Sequence, residues 1–258
     1  MTMHLDLSRA LDPVLLMKNA GYVLDRWQAD LMRSTAHTSP DALKRVLMLC
    51  ARQTGKSTTA AGMALHRAYY ENGAYVVIFS PSQGQSDEML RTIKSLHNKL
   101  SGVPETVGDS VRKIEFSNGS RIRALHGDEK TVRGISAVSL ALIDEAARVP
   151  ETLIAAIRPM LATRTDGTLV ALSTPFGKRG FFYEAWTGDA IWHRVRVPAT
   201  ECPRISKEFL AEELKELGAQ RFSEEYSLEF LDPDEAVFSS AIIERAFSNK
   251  EVKPLWKL

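Results

Sequence analysis

The chain has 258 residues, 44% hydrophobic and 25% charged, enough to bury one large core or two modest ones in an ordinary globular fold. Two cysteines, Cys50 and Cys202, exclude a disulfide framework and fit a reducing cytosol, while a net charge of +1 decides nothing about nucleic acid because local patches cancel in the total. An early acidic residue reads against a signal peptide, and no apolar run reaches the roughly 18 residues of a membrane span.

The first forty residues read as helices broken by Pro13 and Gly21 and ending in the polar stretch 34–41 (STAHTSPD). From Arg45 the pattern changes. A short apolar run, 45–50 (RVLMLC), leads through a polar loop into a helical pattern that stops near Gly73. Residues 74–82 (AYVVIFSPS) form a second buried-strand pattern, and 86–100 read as a helix with a Ser cap. Residues 111–125 alternate about Asn118-Gly119, a hairpin signal. Residues 137–146 (AVSLALIDEA) are a third buried strand ending in two carboxylates. A helix follows over 151–164, interrupted at Pro159, and then a fourth strand at 167–175 (GTLVALSTP).

Apolar strands alternating with helices predict an α/β fold, a mostly parallel sheet with helices on both faces, in which ligands sit outside the carboxyl ends of the strands. The polar groups at those ends, 51–57, 80–83, 144–146 and 173–175, are expected to converge. Residues 1–190 are the expected core. From about residue 191 one more strand, a charged helical region at 207–231, and a linker with a short helix are expected to form a smaller lid subdomain, 191–258.

Ala51–Ser57 (ARQTGKS) nearly spells a phosphate-binding loop, with Cys50 where the first glycine of G-x-x-x-x-G-K-[ST] would stand. A strand feeding a Gly-Lys-Ser helix start presents backbone N–H groups and the positive helix end to an anion. Gln53, Thr54, Gly55 and Thr58 would line that cradle, Lys56 would reach the β- and γ-phosphates, and Ser57 would ligate Mg²⁺. A small cysteine suits the strand end if the backbone needs no positive φ there. Arg52 can offer bidentate donors to the γ-phosphate, or can point outward into solvent. In the acidic strand, Asp144 would hold Mg²⁺ through its water shell and Glu145 would activate water, successive strand residues pointing to opposite sides.

Taken in order, 50–58 (CARQTGKST), 140–146 (LALIDEA) and 169–186 (LVALSTPFGKRGFFYEAW) resemble the large terminase subunit of tailed double-stranded DNA bacteriophages. The hairpin and 24–32 (LDRWQADLM) are also similar, so the resemblance runs from about Leu24 to Phe238. It implies a P-loop ATPase of ASCE type that binds ATP and Mg²⁺ and drives double-stranded DNA into a procapsid. It further implies a homo-oligomeric ring, a pentamer on the portal protein with a monomer possible in isolation, a small terminase subunit as partner, and residence in the host cytoplasm without membrane contact.

Carried over by motif, Gln28 corresponds to the glutamine that reads the adenine edge, although a polar residue on an amphipathic helix would look the same. Ser173, Thr174 and Pro175 correspond to the coupling motif that senses the γ-phosphate. Arg52 matches the family's loop arginine. Arg133, in a Gly-containing segment before the acidic strand, is the favoured between-subunit finger and Arg52 the in-subunit alternative; such a finger contributes roughly 10³–10⁵ in rate. On the hairpin, Arg112, Lys113, Arg121 and Arg123 are weak candidates for nonspecific phosphate contacts, as are Lys178 and Arg179. The family's nuclease domain is expected to be missing. Two alternatives stand beside this reading: a helicase-like or repair ATPase, which needs a second motor domain, and a nonenzymatic module with a dead loop.

Overall fold

The structure, a computed structural model, describes residues 3–39, 41–126, 132 and 134–232. Helices α1 (Met3–Leu11), α2 (Pro13–Asn19) and α3 (Arg26–Thr35) divide where the sequence predicts. Asp12 caps α2 by accepting from the Val14 N–H at 3.1 Å, and Pro13 sits at the first helical position, where a missing donor costs nothing. Asp25 and Gln28 form a capping box at the start of α3.

The rest alternates between strands and helices: β1 (Arg45–Cys50), α4 (Lys56–Tyr70), β2 (Tyr75–Ser80), α5 (Gln83–His97), β3 (Thr106–Ser110), β4 (Lys113–Phe116), β5 (Arg121–His126), β6 (Leu140–Asp144), α6 (Glu151–Leu161), β7 (Thr168–Ser173), α7 (Gly180–Thr187), β8 (His193–Val197) and α8 (Lys207–Phe222). Of these, β3 and α7 have no counterpart in the sequence reading. One eight-stranded sheet has the order β3-β4-β5-β2-β6-β7-β1-β8. From β5 to β8 every neighbouring pair is parallel, and β4 is antiparallel to both β3 and β5.

Both faces are covered, which is why the central strands are apolar throughout. Val46, Met48, Val76, Ile78 and Leu142 pack with Met17, Leu31, Leu65 and Leu90 on one face. Leu47, Leu49, Val77, Phe79 and Ile143 pack with Leu153, Ile157 and Phe182 on the other. Each such side chain contributes about 1.5–3 kcal/mol by burial. Helix α4 approaches α2 and α3 closely at Gly62, where a Cβ would lie 2.7 Å from Met17 Sδ and 2.8 Å from Met32 Cε.

Four further local features differ from the sequence reading. Helix α5 starts a turn early: Ser82 accepts from the Gln85 N–H, while Ser86 is buried within the helix and donates to the Leu125 carbonyl. Helix α6 runs through Pro159, because a proline near the end of a helix removes a single intrahelical bond. Strand β8 pairs with β1, so the sheet itself extends past residue 190 to Val197. Finally, α8 is broken at Gly218, whose φ of 75° and ψ of 164° only glycine adopts readily, and a π turn over Ser223–Ser227 follows it. The linker and short helix expected from residue 233 onward lie outside the described residues.

Candidate active site

Strand β1 ends at Cys50 with no positive φ, as a cysteine in the first-glycine position requires. Its thiol is buried against the sheet, and burial pushes it up to about 12, which makes it a packing group. The loop then turns through two left-handed residues, Gln53 at φ 60° and Gly55 at φ 94°, into α4. A helix start of this kind leaves its first N–H groups without intrahelical partners. A Cβ on Gly55 would meet Gln28 Nε2 at 2.7 Å.

Across the space between the loop and β6, Lys56 Nζ lies 2.9 Å from Glu145 Oε1. The loop and the acid pair therefore face one another, brought together by a sheet in which β7 alone separates β1 from β6. The backbone at the two acids departs from the extended strand that the sequence reading assumed. Strand β6 stops at Asp144, and Glu145 takes φ 49°, ψ 44°, a left-handed conformation uncommon outside glycine, Asn and Asp. Strand alternation therefore does not continue from Asp144 to Glu145. Asp144 Oδ1 accepts the Glu145 N–H at 3.0 Å, and its carboxyl is pushed up to about 6 by burial and then by the neighbouring Glu145 charge.

Ser173, Thr174 and Pro175 sit beside this pair. Ser173 pairs with Leu49 of β1, and its hydroxyl accepts the Ala147 N–H at 3.2 Å. Thr174 and Pro175 are buried. Neither hydroxyl bonds to Glu145 itself. Thr174 Oγ1 instead lies 3.5 Å from Arg148 Nη1, at the edge of hydrogen-bond range, and Arg148 Nη1 donates to Glu145 Oε2 at 3.0 Å.

Several expected site residues have other partners. Gln28 is 3% exposed; its oxygen accepts the Asp25 N–H, and its nitrogen donates to Thr59 Oγ1 at 2.9 Å and to the Gly55 carbonyl at 3.3 Å, so it braces the loop from below. Thr54 is fully buried and donates to the Ala51 carbonyl. Arg52 points to the C-terminal region, forking onto Glu225 at 2.9 and 3.2 Å. Ser57 and Thr58 occupy the first turn of α4, partly exposed. The stretch 80–83 contributes Ser80 to this edge, whereas Ser82 and Gln83 begin α5. Arg133 lies outside the described residues.

The hairpin is part of the sheet edge. Arg121 stacks on Tyr75, 4.1 Å from the ring centroid, and Arg123 donates to the Tyr75 hydroxyl. Lys113 pairs with Glu115 at 3.0 Å, and Arg112 lies 3.9 Å from Asp87. All four thus have intramolecular partners.

Two site residues escaped the sequence reading. Arg148 follows Glu145 by one short turn, a spacing that could have revealed it. Arg204 left no such signal: from beyond β8 it reaches back to donate to the Thr54 carbonyl at 3.0 Å and to Asp25 at 2.7 Å. A cleft of about 940 Å³ opens beside Arg52, Arg148, Phe176, Leu217 and Glu225.

The residues present fit a magnesium ion. Asp144 has no ion pair among the described residues, although buried. Phe79 pairs with Ile143, so Ser80 follows level with Asp144 on the adjacent strand, and its fully buried hydroxyl finds no hydrogen-bond partner among the described residues. One carboxylate with nearby hydroxyls, completed by waters and phosphate oxygens, is an ordinary magnesium donor set.

Residues 47–245 match the family model described as terminase large subunit, T4likevirus-type, N-terminal. The chain belongs to this family. This family match does not favour the helicase-like alternative. Among solved structures, the large terminase ATPase domain of Thermus phage P74-26 is similar at TM-score 0.67 and 22% identity, covering 83% of this chain and 97% of that one. The large terminase of bacteriophage HK97 matches at 0.67 and 19% identity, covering 80% and 50%. That of the thermophilic bacteriophage D6E in complex with ADP matches at 0.68 and 11% identity, covering 80% and 54%. The terminase chain therefore spans about half the length of the HK97 and D6E proteins, and at these identities the likeness is one of fold. No curated protein sequence matches the chain.

Proposed function

We propose that this terminase domain hydrolyses ATP between the Gly55 loop and the Asp144–Glu145 pair, and that the hydrolysis drives double-stranded DNA into a procapsid. The observation that supports this reading is the 2.9 Å contact between Lys56 and Glu145 across the gap between the loop and the end of β6. The backbone N–H groups of residues 53–58 hold the phosphates, and Lys56 exchanges Glu145 for the β- and γ-oxygens. Ser57 and Asp144 would hold magnesium, which when bound neutralises phosphate charge. Glu145 then takes a proton from water as the water oxygen bonds to the γ-phosphorus; the bond from that phosphorus to the bridging oxygen breaks, and ADP leaves.

Thr174 couples this step to the region after β8, and Arg133 acts as the finger in a neighbouring subunit of a ring. Arg52 is the weaker candidate, because its fork is already engaged by Glu225. The packaging partners are the portal protein and the small subunit, in the host cytoplasm at the procapsid. No helix among the described residues is long and apolar enough to cross a membrane. No group of three or more His, Cys, Asp or Glu among them is placed to hold a metal.

The test is steady-state ATP turnover. Lys56→Ala and Glu145→Ala are each expected to lose roughly a hundredfold or more with folding intact, as removal of a general base or a phosphate cation does. Unchanged turnover in Glu145→Ala would remove water activation from the assigned carboxylate.

A further inference from the structure

Glu145 is gripped at both oxygens. Oε1 belongs to Lys56, and Oε2 accepts from Arg148 Nη1 at 3.0 Å. The same guanidinium reaches Thr174 Oγ1 at 3.5 Å, stands 4.0 Å from Glu225 Oε1 and lies over the Phe176 ring, 4.5 Å from its centroid. Glu225 in turn holds Arg52. One planar cation thus touches the carboxylate, the coupling motif and the turn that follows α8.

We infer that Arg148 is a positioning residue for hydrolysis: it fixes Glu145 through Oε2, so that Oε1 becomes the proton-accepting atom once Lys56 moves to the phosphates. This rests on the reading of Glu145 as the base. The backbone break at Glu145 sets only where its side chain begins, and a glutamate has rotatable bonds left after that. Lys56 cannot supply the orientation during reaction, because its contact with Glu145 must open when phosphate arrives. Arg148 has no such conflict, since its oxygen is the one turned away from the loop lysine. Only an arginine can do all of this at once, because its planar fork donates in several directions while its face stacks on an aromatic ring. The links to Thr174 and Glu225 make the carboxylate's orientation depend on where the coupling strand end and the segment after α8 stand.

A plain helix-end ion pair between residues three apart would contribute only stability, so the test separates rate from binding. Single-turnover ATP hydrolysis and binding of a fluorescent ATP analogue are measured on the 258-residue chain for Arg148→Met, Arg148→Lys and Glu145→Gln. Arg148→Met keeps the stem over Phe176 and is expected to bind the analogue within about threefold of the parent while hydrolysing roughly 30- to 100-fold more slowly, the cost of a misplaced reacting group. Arg148→Lys is expected to regain part of that loss. If Glu145→Gln is inactive and Arg148→Met hydrolyses within about twofold of the parent, the inference falls and the site reading stands. If Arg148→Met weakens binding and leaves the rate alone, Arg148 is a nucleotide ligand and the inference falls. If Glu145→Gln is itself active, the reading beneath it falls. Should Arg148→Met fail to fold, Arg148→Lys decides: a rate at the parent's level overturns the inference, and a loss of rate with binding retained supports it.

Discussion

Three residues at the site adopt left-handed backbone, Gln53, Gly55 and Glu145, and only one of them is a glycine. At the two non-glycine positions, Gln53 and Glu145, such a backbone costs about 1–3 kcal/mol per residue and persists where surrounding contacts over-determine it. Those contacts are identifiable: Gln28 and Arg204 hold the loop carbonyls, and Asp144 holds the Glu145 N–H. A Cβ on Gly55 would have to displace the Gln28 amide and would sit on a left-handed backbone. Gly55→Ala is expected to cost about 1–2 kcal/mol of stability and to weaken binding of an ATP analogue tenfold or more, roughly 1.4 kcal/mol, as read by thermal unfolding and fluorescence titration. A variant that binds like the parent would show that the loop can relax away from Gln28. Legibility at this scale was uneven. Lys56, Asp144 and Glu145 were read from motif and context, because a buried strand does not end in charges idly. Arg204 was not, since nothing local distinguishes an arginine that closes a contact across some 150 positions of chain.

Helix α4 joins the loop to the N-terminal helices through an unusual buried group. His66 Nε2 lies 3.1 Å from both the Arg9 and Ala10 carbonyls, tying α4 to the α1–α2 junction. Burial is the main cause that pushes its imidazole from 6.5 down to about 4, and the charges of His37 and Arg67 act in the same direction. The folded protein therefore resists a proton that the unfolded chain accepts. The contribution of His66 is fully present above about pH 6.5 and is lost as pH falls toward 4, by on the order of 3 kcal/mol in all. Thermal melts from pH 7 to pH 4 should accordingly fall more steeply for the parent than for His66→Gln, which keeps a donor without the titration. Equal slopes would remove His66 as the source. At the scale of elements the buried parallel strands were legible, 45–50 to the residue, because burial on both faces leaves no polar positions, whereas the exposed edge strand β3 was not. Helix ends were less legible. Ser82 and Ser86 are both plausible caps in sequence, and only packing against Leu125 puts Ser86 inside.

For the whole molecule, the decisive arrangement is the strand order. With β7 inserted between β1 and β6, the coupling residues lie between the phosphate loop and the acid pair, and β8 extends the sheet on the loop's other side. From there the chain returns through Arg204 to the loop and through Glu225 to Arg52. The engagement of Arg52 bears on the choice of finger. An arginine already forked onto a carboxylate must lose that pair to reach phosphate, so Arg133 is the better candidate for action across a subunit boundary. Mixing Arg133→Ala with Glu145→Ala protein should then restore part of the ATP turnover that each lacks alone, since some interfaces would pair an intact finger with an intact base. Turnover of the mixture no higher than that of its components would return the role to Arg52.

The order of apolar runs, the Gly-Lys-Ser helix start and the paired acids were determined by the sequence itself, because they follow from local periodicity and from the cost of burying charge. Tertiary structure decided what those groups touch. The backbone break at Glu145, the bracing by Gln28 and Arg204, and the shared hold of Lys56 and Arg148 on one carboxylate are contacts between distant segments. Their geometry exists only after the sheet has set its strand order.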